Sequence, residues 1–432
     1  MVTAITGGSF GDEGKGKMTD LLAARADIVA RFQGGANAGH TIINDYGKFV
    51  LHMLPSGVFY GHAENIIASG AALDAEEFFD ELEMLKKRGV PEPTVKVSSR
   101  VQLLLPIHKE QDRLEERRLG KNGFGSTLSG IAPFYSDKYA KRNIQISELY
   151  SDSLTDKIRR FCEDKNIFFK AFYGVENAVS AAALTAYLAE LRNRLEPYLM
   201  DCPYFMNDAL KAGKNILLEG QLGALRDTDN GIYPFVTSSP TLAGFGSVSA
   251  GIPPREISRV VAVIKAYSTC VGAGAFVGEL FGSEADELRG RGGDSGEYGA
   301  KTGRPRRIAW FDCVAARYGC MLQGATEATL TMLDVLSFLD KIPICVGYRI
   351  NGVITDKFPE THFLDSAEPV YEYLDGWKSD ISDIHDYEAL PEAAKKYVRF
   401  IEERIGIPVT MISNGPKREQ IIFKDYRGND IK

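Results

Sequence analysis

The sequence predicts an α/β fold: a large, mainly parallel central sheet with surrounding helices and long functional loops. Two observations carry this. Short apolar runs alternate with charged, amphipathic helical patterns along the chain, which is the signature of strand–helix–strand units. The first apolar run ends in a glycine-rich turn that opens directly into a helical pattern. No repeat, low-complexity tract or linker interrupts the 432 residues, so a single domain spanning 1–432 is expected, with a helix-rich insertion at about 145–213.

Residues 2–6 read as a buried strand, followed by the glycine-rich turn and a helix from Lys15 to Ala24. Asp27–Gln33 reads as a second strand, and Val50–Leu54 and Asn65–Ala68 as two more. Residues 75–88 have the spacing of an amphipathic helix, and 179–198 that of a longer one ending near Pro197. Asn215–Leu218 returns to strand and precedes a polar, glycine-rich loop running to about Gly251. Val260–Ala266, Ala328–Leu333, Ile344–Tyr348 and Val409–Ile412 read as further buried strands. The stretch 282–306, with seven glycines from Gly282 to Gly303, reads as a long loop; loops of that length are uncommon unless they carry function.

Composition excludes several function classes. The chain is 44% hydrophobic and 25% charged, with a net charge of -7, so it offers no strong basic field for nucleic acid. Six cysteines lie scattered in apolar surroundings with no C-x-x-C pair; they read as reduced, mostly buried thiols. The N-terminus lacks the basic start and long apolar core of a signal peptide, and no apolar stretch is long enough to span a bilayer. No membrane partner and a cytoplasmic location are expected.

The strongest local signal is Gly11-Asp12-Glu13-Gly14-Lys15-Gly16-Lys17, between a strand and a helix. Its glycines allow a tight turn and close approach to a ligand. The helix start favours an anion, and Lys15 and Lys17 add positive charge. The spacing differs from G-x-x-x-x-G-K-[ST], and two acids sit inside the loop. An acid beside phosphates implies metal binding or proton chemistry. The second loop, Gln33-Gly34-Gly35-Ala36-Asn37-Ala38-Gly39-His40-Thr41, also follows a strand, and a parallel sheet would bring it beside the first. His40 is a candidate general acid at a strand's carboxyl end, where α/β sites sit.

Together the two loops resemble the adenylosuccinate synthetase family, and the likeness runs along essentially the whole chain. Later segments that carry it are Gly125–Pro133, Glu219–Pro234, Val236–Ser239, Lys265–Gly274, Gly299–Arg307, Leu333–Leu336 and Ser413–Arg418. The resemblance implies a P-loop-NTPase-like fold and a carbon–nitrogen ligase of AMP biosynthesis and purine salvage. Its substrates would be IMP, L-aspartate and GTP, its metal one Mg²⁺ per subunit, and its assembly a homodimer. GTP would phosphorylate the purine 6-oxygen, and the aspartate amine would displace that phosphate.

By position, Asp12 matches the base that removes the N1 proton and also a magnesium ligand. His40 matches the acid at the leaving β-phosphate oxygen, and the Gly39 carbonyl a second magnesium ligand. Gly11, Glu13, Gly14, Lys15, Gly16, Lys17, Thr41 and Arg306 would line the GTP phosphates. Met332, Leu333, Asp334, Ser413, Asn414 and Gly415 would line the guanine, with Asp334 selecting it. Asn37, Ala38, Thr127, Gln221 and Thr237 would contact the monophosphate nucleotide, and Lys141 would reach it from the partner subunit. Lys301, Thr302, Gly303 and Arg304 would grip aspartate, a carboxylate suited to a guanidinium fork. Blander readings stand beside these: a solvated basic run for Arg304, Arg306 and Arg307, a helix cap for Asp334, and turn chemistry for Thr237.

The chain departs from the family pattern at Leu128–Ser129, where an arginine is common, and at Met332, where lysine is usual. It departs again at Lys301 and at Asn414–Gly415 with Lys417. These changes sit in ligand loops, so a specialised paralogue acting on another 6-oxopurine nucleotide such as dGMP, or using ATP, is the alternative expectation. Asp12, which the dGMP-directed relatives tend to lose, is retained.

Overall fold

The first strand forms because Val2–Gly7 is a run of buried, largely β-branched residues. Such a run suits a strand with neighbours on both sides and helices on both faces. It pairs in parallel with Ile216–Glu219 on one side and with Ile257–Lys265 on the other. The computed structural model describes residues 1–293, 296–299 and 303–424.

The central sheet has ten strands. From the first strand one wing continues through Ile216–Glu219 to Ile28–Arg31, Glu64–Ile67, Val95–Ser98 and Leu199–Met200. The other runs through Ile257–Lys265 to Glu327–Thr331, Val409–Ser413 and Ile421–Phe423. Every neighbouring pair is parallel except the last, where Ile421–Phe423 runs antiparallel to Val409–Ser413. The carboxyl ends therefore share one edge, and the loops leaving them converge there.

Helix Lys15–Ala23 lies on one face, where Met18 packs with Ile5, Val29, Val261 and Val263. Each such wholly buried side chain contributes about 1.5–3 kcal/mol by leaving water. In the segment 145–213, helices Leu154–Tyr173 and Ala181–Leu195 bury Phe161, Phe169, Leu184 and Leu188 in a separate apolar cluster with Leu103 and Ile107. All six cysteines are buried and unpaired. Among the described residues, no helix is long and apolar enough to cross a membrane.

Four expectations need correction, one of them the loop expected to run to about Gly251, which ends in helix Gly244–Ala250. The strand expected at Val50–Leu54 is Gly47–Leu51, and it pairs with His40–Asn44 in a hairpin apart from the main sheet. The amides of His52, Met53 and Leu54 go instead to the Glu81 carboxylate, so no ladder continues. The stretch 282–306 is not all loop, because Gly282–Arg291 is a helix. Glu284 in its first turn and Arg289 and Arg291 in its last complement the helix dipole, and Leu288 anchors it in the core. The strand expected at Ile344–Tyr348 spans Lys341–Ile350 and belongs to a second, four-stranded sheet.

Candidate active site

At the end of the first strand the chain turns through Gly11 (φ 103°), Asp12 (φ 59°) and Gly14 (φ 90°). For Asp12 the left-handed backbone is a strained choice, of the kind held at functional positions. Glu13 points back under the loop and is 2% exposed. Its carboxylate accepts from the amides of Ser9 (3.1 Å) and Gly11 (2.8 Å) and from Lys15 Nζ (2.5 Å). Glu13 is thus the internal brace of the loop, and Lys15 is paired with it. Gly16 allows the second loop to close on the first: a Cβ there would stand 2.8 Å from the Thr41 carbonyl oxygen.

Lys17 reaches the opposite way. Its Nζ donates to Ser413 Oγ (2.8 Å), the Gly415 carbonyl (2.7 Å) and the Gln420 carbonyl (2.9 Å). Burial pulls its pKa down to about 7, against the raising effect of Asp334 and Glu419. Asn414 is wholly buried, and its side-chain amide donates to the carbonyls of Ile381 and Ile384. Asn414 Oδ1 is buried without a partner, Leu333 is packed in the core, and neither residue lines the smaller cavity. Asp334 keeps a buried Oδ1 without a partner, and burial raises its pKa. Met332, in left-handed conformation (φ 59°), accepts from the Tyr267 hydroxyl at 3.3 Å through its sulfur.

His40 Nδ1 meets Glu219 Oε1 in a short hydrogen bond, and its Nε2 is buried without a partner. Burial pushes the ring's pKa down. Burial alone would raise Glu219, but the facing imidazole and Arg31 hold it below the usual range. Asp12 Oδ2 accepts from Arg306 Nε at 3.0 Å, and Arg306 Nη1 donates to Glu297 Oε2 at 2.5 Å. Glu297 also accepts from Lys265 at 2.9 Å and from the Tyr267 hydroxyl. Burial would raise its pKa, but Lys265 and Arg306 hold it down to about 2.

Two cavities meet at this point. The larger, about 630 Å³, is lined by Asn37, Ala38, Ser126, Thr127 and Thr237 among others. The smaller, about 390 Å³, is lined by Lys15, Lys17, His40, Thr41, Arg306 and Asp334 among others. Asp12, Ala38 and Gly39 line both. Gln221 backs the larger cavity: its amide donates to Gly35 O (2.9 Å) and Ala38 O (3.3 Å), and its Oε1 is buried without a partner. Thr127 Oγ1 donates to Ser129 Oγ at 3.1 Å, and Thr237 Oγ1 lies 3.3 Å from Ser239 Oγ.

Gly303 and Arg304 are exposed, with Arg304 Nη1 3.4 Å from the carbonyl of Gly125, a residue of the larger cavity. Lys141 is exposed, has a left-handed backbone (φ 62°) and lines neither cavity. Lys301 and Thr302 lie outside the described residues. Sequence reasoning missed Glu219 and Glu297 as partners of the site; the only local signal for Glu219 was its place at a strand end before a glycine.

A model of the adenylosuccinate synthetase family matches residues 4–422. The chain is similar to the adenylosuccinate synthetase of Thermomicrobium roseum, with 44% identity over 98% of each chain. It is similar to that of Alkaliphilus metalliredigens, with 42% identity over 98% of each. Among solved structures it resembles a fully ligated adenylosuccinate synthetase from Plasmodium falciparum, with a TM-score of 0.89, 34% identity, and coverage of 98% of this chain and 100% of that one. Succinoaminodeoxyadenylate synthetase of cyanophage S-2L, bound to dGMP and dATP, shares the fold at a TM-score of 0.61 and 19% identity, over 98% of this chain and 95% of that one.

Proposed function

The chain belongs to the adenylosuccinate synthetase family, the ligases of AMP biosynthesis that join L-aspartate to IMP with GTP, and we propose that its reaction runs where its two cavities meet. The larger cavity takes IMP and aspartate, and the smaller takes GTP. The observation that carries this reading is the shared wall: Asp12 and Gly39 border both cavities, and His40 borders the smaller.

Asp12 removes the N1 proton of IMP, which makes the 6-oxygen nucleophilic. The γ-phosphoryl group moves to that oxygen, turning a poor leaving group into a good one. His40, through the ring nitrogen left without a partner, donates to the departing β-phosphate oxygen. The aspartate amine then attacks C6 and phosphate leaves. Such transfers depend on positioning and charge stabilisation more than on covalent help. Arg306 and the amides at the start of helix Lys15–Ala23 stabilise phosphate charge, while Lys17 ties the phosphate loop to the guanine-side loop.

The Asp12 carboxylate and Gly39 carbonyl are hard oxygen donors on the common wall, a set that fits Mg²⁺, which takes few protein ligands beside phosphates. Bound there, the ion would neutralise charge on the phosphates. Thr127, Gln221 and Thr237 hold the IMP side, with Lys141 of a second subunit completing its phosphate site. Thr302 and Arg304 hold aspartate. Asp334, with its buried unpaired oxygen, accepts from the guanine edge.

Mixing the protein with IMP, L-aspartate, GTP and Mg²⁺ tests the reading by the ultraviolet change as a 6-oxopurine becomes a 6-aminopurine. Product that requires all three substrates supports it. Product only with dGMP in place of IMP, or ATP in place of GTP, favours the specialised paralogue that Met332 and Ser129 suggest.

A further inference from the structure

Glu219 ends the strand beside the first strand of the sheet, and its side chain is wholly buried. Its Oε1 meets His40 Nδ1 and accepts from Ser56 Oγ at 2.7 Å, while its Oε2 accepts from the Ser56 amide at 2.8 Å. Arg31, buried in the neighbouring strand, adds a positive charge that favours the carboxylate. A buried carboxylate is costly unless such partners surround it. Ionised, it can only accept, so the shared proton sits on His40 Nδ1. That leaves Nε2 as the one ring atom able to reach a ligand, and Nε2 is the atom without a partner.

We propose that Glu219 is a positioning residue for phosphoryl transfer: fixed by Ser56, it holds the His40 ring with Nδ1–H inward, so that the ring, protonated at its second nitrogen to act as the acid, presents Nε2–H to the leaving β-phosphate oxygen. The inference rests on the reading of His40 as the acid. Orientation of an imidazole by a buried carboxylate is a recurrent device, and losing the carboxylate releases the tautomer. A merely structural Glu219 would need only to satisfy Ser56. Glutamine would do that as well, because its carbonyl accepts the Ser56 amide. Its amide nitrogen can also donate to the ring, so the tautomer would no longer be chosen.

The test compares Glu219→Gln, Ser56→Ala and His40→Asn with the wild-type enzyme in steady-state kinetics and in ¹⁵N NMR of histidine-labelled protein, using His40→Asn to assign the ring. Glu219→Gln is expected to lower kcat by about 10²- to 10⁴-fold with the KM values for IMP and GTP unchanged, and to shift His40 away from the Nδ1–H tautomer. Ser56→Ala, which removes one anchor of the carboxylate, is expected to move both readouts the same way by less, and carries the test if Glu219→Gln does not fold. Full turnover in His40→Asn would overturn the reading of His40 itself. An inactive His40→Asn beside a fully active Glu219→Gln, raised KM values with kcat intact, or an unchanged tautomer would overturn the positioning role alone.

Discussion

Arg306 joins Asp12 to Glu297: its Nε donates to Asp12 Oδ2 at 3.0 Å and its Nη1 to Glu297 Oε2 at 2.5 Å. The carboxylate proposed as the base is thus tied to the glycine-rich stretch that carries Arg304. Glu297 cannot release Arg306 cheaply, because it is fully buried and already serves Lys265 and Tyr267. Asp12 is the softer end of the link, with 29% of its side chain exposed. Of the two contacts, the one to Asp12 is therefore the less costly to break.

Asp12→Ala is expected to cost about 10²- to 10⁴-fold in kcat, the usual worth of a placed general base. Its stability should change by no more than about 1 kcal/mol, because a partly exposed ion pair contributes little. Steady-state rates and urea unfolding check the two halves. A large stability loss would make Asp12 a structural brace, the part assigned to Glu13.

Lys17 makes the guanine-side loop depend on the phosphate loop, since its three donors all go to Ser413, Gly415 and Gln420. Lys17→Met removes all three hydrogen bonds, at about 0.5–1.5 kcal/mol each, so the KM for GTP should rise about tenfold or more. The pKa adds a second signature. In the folded chain it is about 7, against an ordinary 10.5. The folded chain therefore binds fewer protons than the unfolded one between those values, and ligand-free stability gains from Lys17 as pH rises through that window. Urea titrations across the window should lose this rise in Lys17→Met.

The two phosphate-side loops were legible because their chemistry is local: glycines with acids and lysines in one loop, and glycines with His40 in the other, fall within ten residues of a strand end. Glu219 was not, because its role depends on strand order. It stands 179 residues from His40 and reaches it only because Ile216–Glu219 pairs with Ile28–Arg31. Glu13 reads in sequence as an acid facing phosphates, yet it turns under the loop, a choice made by the amides of Ser9 and Gly11. Glycine count concealed helix Gly282–Arg291, although its acidic start and basic end were readable. Seven of the ten central-sheet strands were recovered to within a few residues, and Val95–Ser98, Leu199–Met200 and Ile421–Phe423 were not expected. The match slipped at Val50–Leu54, where Glu81 takes the amides that would have continued the ladder.

Asp334 should decide between GTP and ATP. Its Oδ1 is buried in the wall of the smaller cavity with no partner, which is costly until a donor arrives. Guanine offers donors at N1 and N2, whereas adenine offers an acceptor at N1. Asp334→Asn should cut the GTP-over-ATP preference by about 10²- to 10⁴-fold, the range for an unpaired buried polar group. Met332→Lys, which restores the usual family residue, should change the KM for GTP while leaving that preference in place. Competition between the two nucleotides under saturating IMP and aspartate measures both.

Lys141 lines neither cavity of its own chain and is exposed, so a role at the IMP phosphate requires a second subunit. A two-fold assembly makes the exchange reciprocal: each subunit lends its Lys141 and borrows its partner's. Asp12→Ala subunits lack the base but still lend Lys141, whereas Lys141→Leu subunits keep the base but lend nothing. In a randomly reassembled equal mixture, about half the dimers are mixed, and each holds one site with both groups, so activity should recover to about a quarter of wild type. Activity no higher than the average of the two parent mutants would mean that Lys141 does not act across an interface, and the phosphate site would then have to be complete within one chain.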